Sequence, residues 1–476
     1  MKNVLIILFG LCCICNIEAQ SDIRNILFSG KIHDGNSGIA GVAVTDGINI
    51  TFTDSNGKYK LLSNATAEFV YITLPSGYDI PVKDGTPVFY VAVTDKSKPK
   101  QTVNFELSKS TRDDYRHTII AWADPQVYYE DELPLMANAA KDLEALAKQS
   151  ETPIYGVVCG DIVGDHPEHY GSIKKILSET GVPFFFSPGN HDMTLDVWSN
   201  DKARETFTKT FGPNYYSFNR GKVHYVVLDD PFYIGRTYWY IAYLPERQLA
   251  WLKQDLAGVP AGSTVAVILH IPTSTRETQA RENMLNVLQN RQHLHEMLKP
   301  YKAHIFSGHT HYNDNFVITE NLFEHVHAAV CAAFWQTPQC SDGTPQGYGV
   351  YEITGDDIQW YYKSVGYDRN FQFRAYPVGY NTEKPAAVTV NVWNYDPEWK
   401  VYWYENEILK GEMTQYRGHD PYATDYILKN KDKFRYDWIG TELTEHLFYA
   451  EPVSSDARIK IEVIDRFGNK YTEELK

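Results

Sequence analysis

The segments Ile154-Tyr155-Gly156-Val157-Val158-Cys159-Gly160-Asp161 and Pro183-Phe184-Phe185-Phe186-Ser187-Pro188-Gly189-Asn190-His191-Asp192 decide the reading of this chain. Each is a short apolar run that stops at a glycine and then presents residues able to hold a metal. Runs of this length between turn residues read as buried strands. Three further apolar runs end at metal-ligating residues, the last through a glycine: Thr118–Ala123 before Asp124-Pro125-Gln126, Val265–Leu269 before His270, and Ala303–Phe306 before Gly308-His309-Thr310-His311. Another strand is predicted over Val223–Leu228, and amphipathic helices over Leu133–Gln149, Glu246–Leu256 and Glu282–Leu298. Strands alternating with helices argue for an α/β core with helices covering the sheets. Such sheets place their sites at the carboxyl edge, so five strand ends on one rim can build a polynuclear metal site. Carboxylate, amide and imidazole donors together suit Mn, Fe or Zn, whereas an all-thiolate set would mean structural zinc.

Working outward, residues 20–112 read as a small β-sandwich of short strands parted by Gly, Asn and Asp turns. The α/β region is expected over 113–366. Alternating strands return from about Arg369, with the aromatic run Val388–Tyr404 and the closing Arg458–Asp465, so 367–476 is read as a C-terminal β-rich domain. Lys2, the apolar run Val4–Cys15 and Ala19 predict a signal peptide over 1–19 and hence a secreted or periplasmic protein. A lipid-tethered start at Cys12, Cys13 or Cys15 is the alternative. No later run is long enough to span a bilayer, so no transmembrane segment is expected. With 476 residues, 43% of them hydrophobic, the chain can bury several cores. Its 60 acidic residues against 45 basic ones would repel a long polyanion, which excludes a general nucleic-acid binder. Cys159, Cys331 and Cys340 read as small buried hydrophobes and not as a disulfide framework.

The order Asp124-Pro125-Gln126, Gly160-Asp161, Gly189-Asn190-His191-Asp192, His270, Gly308-His309-Thr310-His311 resembles the calcineurin-like metallophosphoesterase superfamily, whose signature runs D-x-H, GD, GNH-D/E, H, GHxH. The resemblance covers about Arg116 to Gly349. Gly30 to Leu62 resembles transthyretin-like or carboxypeptidase-regulatory-like modules, which usually act as spacers. The tract Cys331–Tyr348 and the aromatic tail look like a three-domain bacterial subfamily. The resemblance implies a four-layer αββα sandwich core flanked by β modules, and two divalent ions. Asp124, Gln126, Asp161 and His311 would hold the first. Asp161 would bridge to the second, held also by Asn190, His270 and His309. Gln126 stands where the family commonly has His, and its neutral amide favours harder ions such as Mn. His191 would serve the leaving-group oxygen and Asp192 would orient His191.

The implied function is a secreted phosphoesterase that cleaves a small phosphomonoester or phosphodiester by attack of metal-bound hydroxide. The alternative is a carbohydrate- or surface-binding protein with a decayed phosphoesterase core; small nucleotides are a further substrate class. For substrate contact, the Phe232–Tyr243 loop offers Arg236 as a phosphate partner and Tyr238 beside it, while Trp335 with Phe334 is a second candidate. Asp165, four residues after Asp161, is expected to serve a turn or helix cap, with positioning of a ligand as the alternative. His325 and His327 read as structural, with approach to the site as the alternative, and Trp393, Trp399 and Trp403 read as core.

Overall fold

In the computed structural model, residues 24–276, 284–454 and 456–475 are described, so the signal peptide expected over 1–19 lies outside the described residues. The apolar runs become two facing sheets. The first has the order Phe184–Ser187, Ile154–Cys159, Arg116–Trp122, Gly347–Thr354, Asp357–Ser364; its first three strands are parallel and the last two form an antiparallel hairpin. The second has the order Tyr216–Arg220, Val223–Val227, Thr264–Ile268, Lys302–Ser307, Leu322–Val326, Asp314–Thr319, parallel through its middle four.

Alternate side chains fill different layers. Ile119, Ala121, Val157 and Phe185 of the first sheet meet Phe218, Tyr225, Ala266, Ile268 and Phe306 of the second. On the outer face, Ile120, Trp122, Val158 and Phe184 pack under Met136, Leu143, Ile173 and Leu177 of the helices Leu133–Gln149 and Tyr170–Glu179. Val226, Val265, Val267 and Ile305 are likewise covered by Trp251, Leu252, Leu294 and Leu298. The result is an αββα sandwich, and burial on both faces is why the strands read as unbroken apolar runs.

One predicted helix is shortened. The expected Glu282–Leu298 helix is α-helical over Arg291–Leu298 only, its first two residues lying outside the described set. Before it, Leu288 N–H donates to Pro272 O and Gln289 N–H to Ala242 O, so tertiary backbone bonds replace the helical ones.

The flanking modules are both β-sandwiches of two four-stranded sheets. The N-terminal one does not act as a free spacer. Its Phe89 ring lies 4.6 Å from that of Tyr216. Trp251 Nε1 donates to Thr45 Oγ1, Tyr215 OH to Gly47 O, and Arg220 to Tyr78 O. These buried bonds dock the module on the α/β core. In the C-terminal module Trp393, Trp399 and Trp403 are buried, as core residues should be. That module is tied to the α/β core by a buried polar knot: Arg276 forks onto Asp314 and donates to Leu443 O, while Asp342 contacts His446 at 3.0 Å.

Candidate metal centre

The donors lie where strands leave the rim, and at five of the seven the backbone is strained in the same way. Asp124, Gln126, Asp161, His309 and His311 all have positive φ, between 39° and 72°. A left-handed residue turns the chain sharply off the strand axis, at a cost of about 1–3 kcal/mol each, and such residues cluster at functional sites. Gly160, at φ +82°, leads into Asp161; a Cβ there would meet the His270 ring at 2.4 Å. At Gly189 a Cβ would fall 2.1 Å from Asp161 Oδ1, so only glycine lets the Asn190 loop close on Asp161.

These turns bring together side chains spread from position 124 to position 311. Ligand atoms of Asp161, His270 and His309 all lie within 4.8 Å of one another. His270 Nε2 is 2.9 Å from Asn190 Oδ1, 3.1 Å from His309 Nδ1 and 3.3 Å from an Asp161 oxygen. His311 Nε2 lies 3.7 Å from an Asp124 oxygen, and Gln126 Nε2 is 3.3 Å from Asp161 Oδ2. Partners on the far ring atoms fix which nitrogen faces inward: His270 Nδ1 is held by Cys159 O, His309 Nε2 by Asn286 Oδ1, and His311 Nδ1 by Ala332 O.

The donor set fits divalent cations. Gln126 Oε1 is buried without a hydrogen-bond partner, which an amide oxygen avoids unless something else engages it. Two carboxylates, Asp124 and Asp161, sit fully buried in the same cluster. Burial, with Asp161 nearby, pushes Asp124 up to about 8. Burial also opposes ionisation of Asp161, but His270 and His191 overcome it and hold that carboxyl low. Burial lowers His270, yet Asp161 and Asp124 outweigh it and raise the imidazole to about 10. Burial and neighbouring imidazoles keep His309 neutral. Imidazoles and buried carboxylates gathered this closely are the donors that divalent ions take.

Residues 118–313 match the family model described as calcineurin-like phosphoesterase; 27–110 match the N terminal, and 324–471 the C terminal, of calcineurin-like phosphoesterase. The chain belongs to the calcineurin-like phosphoesterases. Serine/threonine-protein phosphatase CPPED1 of Bos taurus is 26% identical over 253 residues, which are 50% of this chain and 75% of that protein. The Mus musculus protein of the same name is 28% identical over 183 residues, 36% of this chain and 57% of its own. A dimetal phosphatase from Danio rerio of known structure aligns over 52% of this chain and 96% of its own, with 14% identity and a TM-score of 0.39. This calcineurin-like phosphoesterase is thus a metal-dependent phosphoric ester hydrolase.

A cavity of about 320 Å³ opens over the donors, and His191 lines it. Its orientation differs from expectation. Asp192 does not contact the His191 ring: its carboxylate accepts N–H from Ile162, Val163 and Gly189 and the hydroxyl of Tyr170, clamping the Asp161 loop to the Asn190 loop. The carboxylate at His191 Nδ1 is Asp165, 2.9 Å away, with Tyr128 OH at 3.4 Å. Asp165 therefore does more than cap a turn.

The substrate-contact candidates are also rearranged. Arg236 is exposed and paired with Asp196, and Tyr238 is exposed. Trp335 is buried, its Nε1 donating to Pro125 O. None of the three lines the cavity. Their neighbours do: Trp239, Tyr240 and Phe334, together with Trp438 from the C-terminal module. His325 and His327 bond Asn315 and Tyr351 inside the sandwich, away from the donors. Trp438 carried no sequence signal, since it lies more than a hundred positions beyond the last donor. Asp165 is marked by its spacing from Asp161, and its contact with His191 matches the positioning alternative.

Proposed function

We propose that this chain hydrolyses a phosphomonoester or phosphodiester at a two-metal site. Asp124, Gln126, Asp161 and His311 would hold one ion, and Asp161, Asn190, His270 and His309 the other. The observation that carries this reading is the convergence of those side chains with a buried, unpartnered Gln126 oxygen among them. When bound, the ions polarise the phosphoryl group and make a nucleophile available at neutral pH. The rest falls to the chain's own residues. Asp165 holds His191 Nδ1, leaving Nε2 to give a proton or hydrogen bond to the departing oxygen. Asp192 keeps the two ligand loops in register. Export, soluble or lipid-tethered, is supported by the sequence of residues 1–19, and a division near 113 and 367 by the separation of the sheets.

Purified full chain should carry about two transition ions and hydrolyse an aryl phosphate or bis-aryl phosphate with added Mn. Asp161→Asn and His191→Ala should each cut turnover by at least about 100-fold. Full activity in both variants would end the proposal, and a metal-free, inactive protein would favour a decayed core.

A further inference from the structure

The cavity wall opposite the donors comes from the C-terminal module. Trp438, Ile439, Gly440 and Glu442 line it, facing Trp239, Tyr240 and Phe334 of the α/β core. The segment is anchored at several points. Arg435 donates to Asp131 and Glu132 at 2.7 and 3.1 Å and lies over the Tyr129 ring. Arg435 N–H donates to Gln336 Oε1, and Glu442 N–H to Ser341 O. Trp438 meets Phe334 edge to face at 4.8 Å, and Trp239 meets His191 in the same way at 4.9 Å.

Two of these aromatics sit on left-handed backbone, Trp239 at φ 62° and Phe334 at φ 54°. Large side chains avoid that region, so the strain marks rings held in place by their surroundings. Beyond the donors and His191, the one carboxylate on the lining among the described residues is that of Glu442. That carboxylate would repel a second anionic group on a substrate.

We propose that the 435–442 segment is the specificity wall of the site, and that the favoured substrate is a phosphate ester whose alcohol is an aromatic or compact apolar group without a second negative charge. This rests on the hydrolase reading above. Aromatic walls bind such a group by burial and ring contact, and the carboxylate disfavours acidic competitors.

The test is steady-state kinetics of the Mn-loaded full chain on two matched pairs of esters with leaving alcohols of similar basicity. Phenylethyl phosphate should exceed ethyl phosphate in kcat/KM by at least about tenfold. Trp438→Ala should lower that ratio by about fivefold or more. Glu442→Gln, at an exposed position, should raise the use of 3-carboxypropyl phosphate relative to propyl phosphate by about threefold. Circular dichroism would verify that each variant is folded. A wild-type phenylethyl-to-ethyl ratio near one, or ratios unchanged in both variants, overturns the proposal while leaving the hydrolase reading intact. No turnover of any ester, 4-nitrophenyl phosphate included, overturns both.

Discussion

His191 and Gln126 show how much one neighbour decides. The ring of His191 lines the cavity, and its direction is set by Asp165 at 2.9 Å. Asp165→Ala should reduce kcat by about 10–100-fold with KM little changed, as removal of an orienting partner does. The loss should be greatest for esters with a basic leaving group, which need the proton most. An equal loss for good and poor leaving groups would show that Asp165 only supports the loop. Gln126 offers a neutral oxygen where an imidazole would bind borderline metals better. Gln126→His should raise the fraction of Zn or Fe retained after dialysis against a weak chelator, read by elemental analysis. Unchanged retention would mean that the Gln126 oxygen is not a ligand.

Elements matter here through the turns that end them. After Gly160 and Gly308 the following residues, Asp161 and His309, lie on left-handed backbone that redirects the chain into the site. The Asp161 and Asn190 loops then touch so closely that Asp192 can clamp both. Gly189→Ala would set a methyl 2.1 Å from Asp161 Oδ1 and from its backbone nitrogen. It should cost about 1–3 kcal/mol of stability by overpacking and lower the metal content with it. Thermal unfolding with metal analysis checks this, and wild-type values in both would refute the close approach.

The whole molecule holds its site between modules, so stability and specificity share contacts. At the junction, burial alone would raise the Asp342 carboxyl, but His446, Arg276 and the Thr344 N–H together hold it at about 2, below the ordinary 3.8. A folded-state value below the unfolded one favours folding when the group is ionised. The contribution, about 2 kcal/mol, is complete above the ordinary carboxylate pKa and fades as pH falls through about 2. Denaturant unfolding of the wild type should therefore lose stability between pH 4 and 2, and Asp342→Asn should flatten that decline. Parallel declines in the two proteins would show that other carboxylates dominate.

The α/β order of elements and the metal-ligating residue types at the strand ends are legible in the chain alone, because burial period and the residue that follows a strand are local properties. Trp403 reads as core because alternation along its strand is local too, whereas Trp393 and Trp399 are buried in the connection that precedes that strand. The folded chain was needed to show that Asp165 and not Asp192 faces His191, that Trp239 and Phe334 line the cavity while Arg236, Tyr238 and Trp335 do not, and that Trp438 completes the wall. Those outcomes depend on loop paths and on how one module docks against another, which are contacts between positions far apart in the chain, and local patterning carries no signal for them.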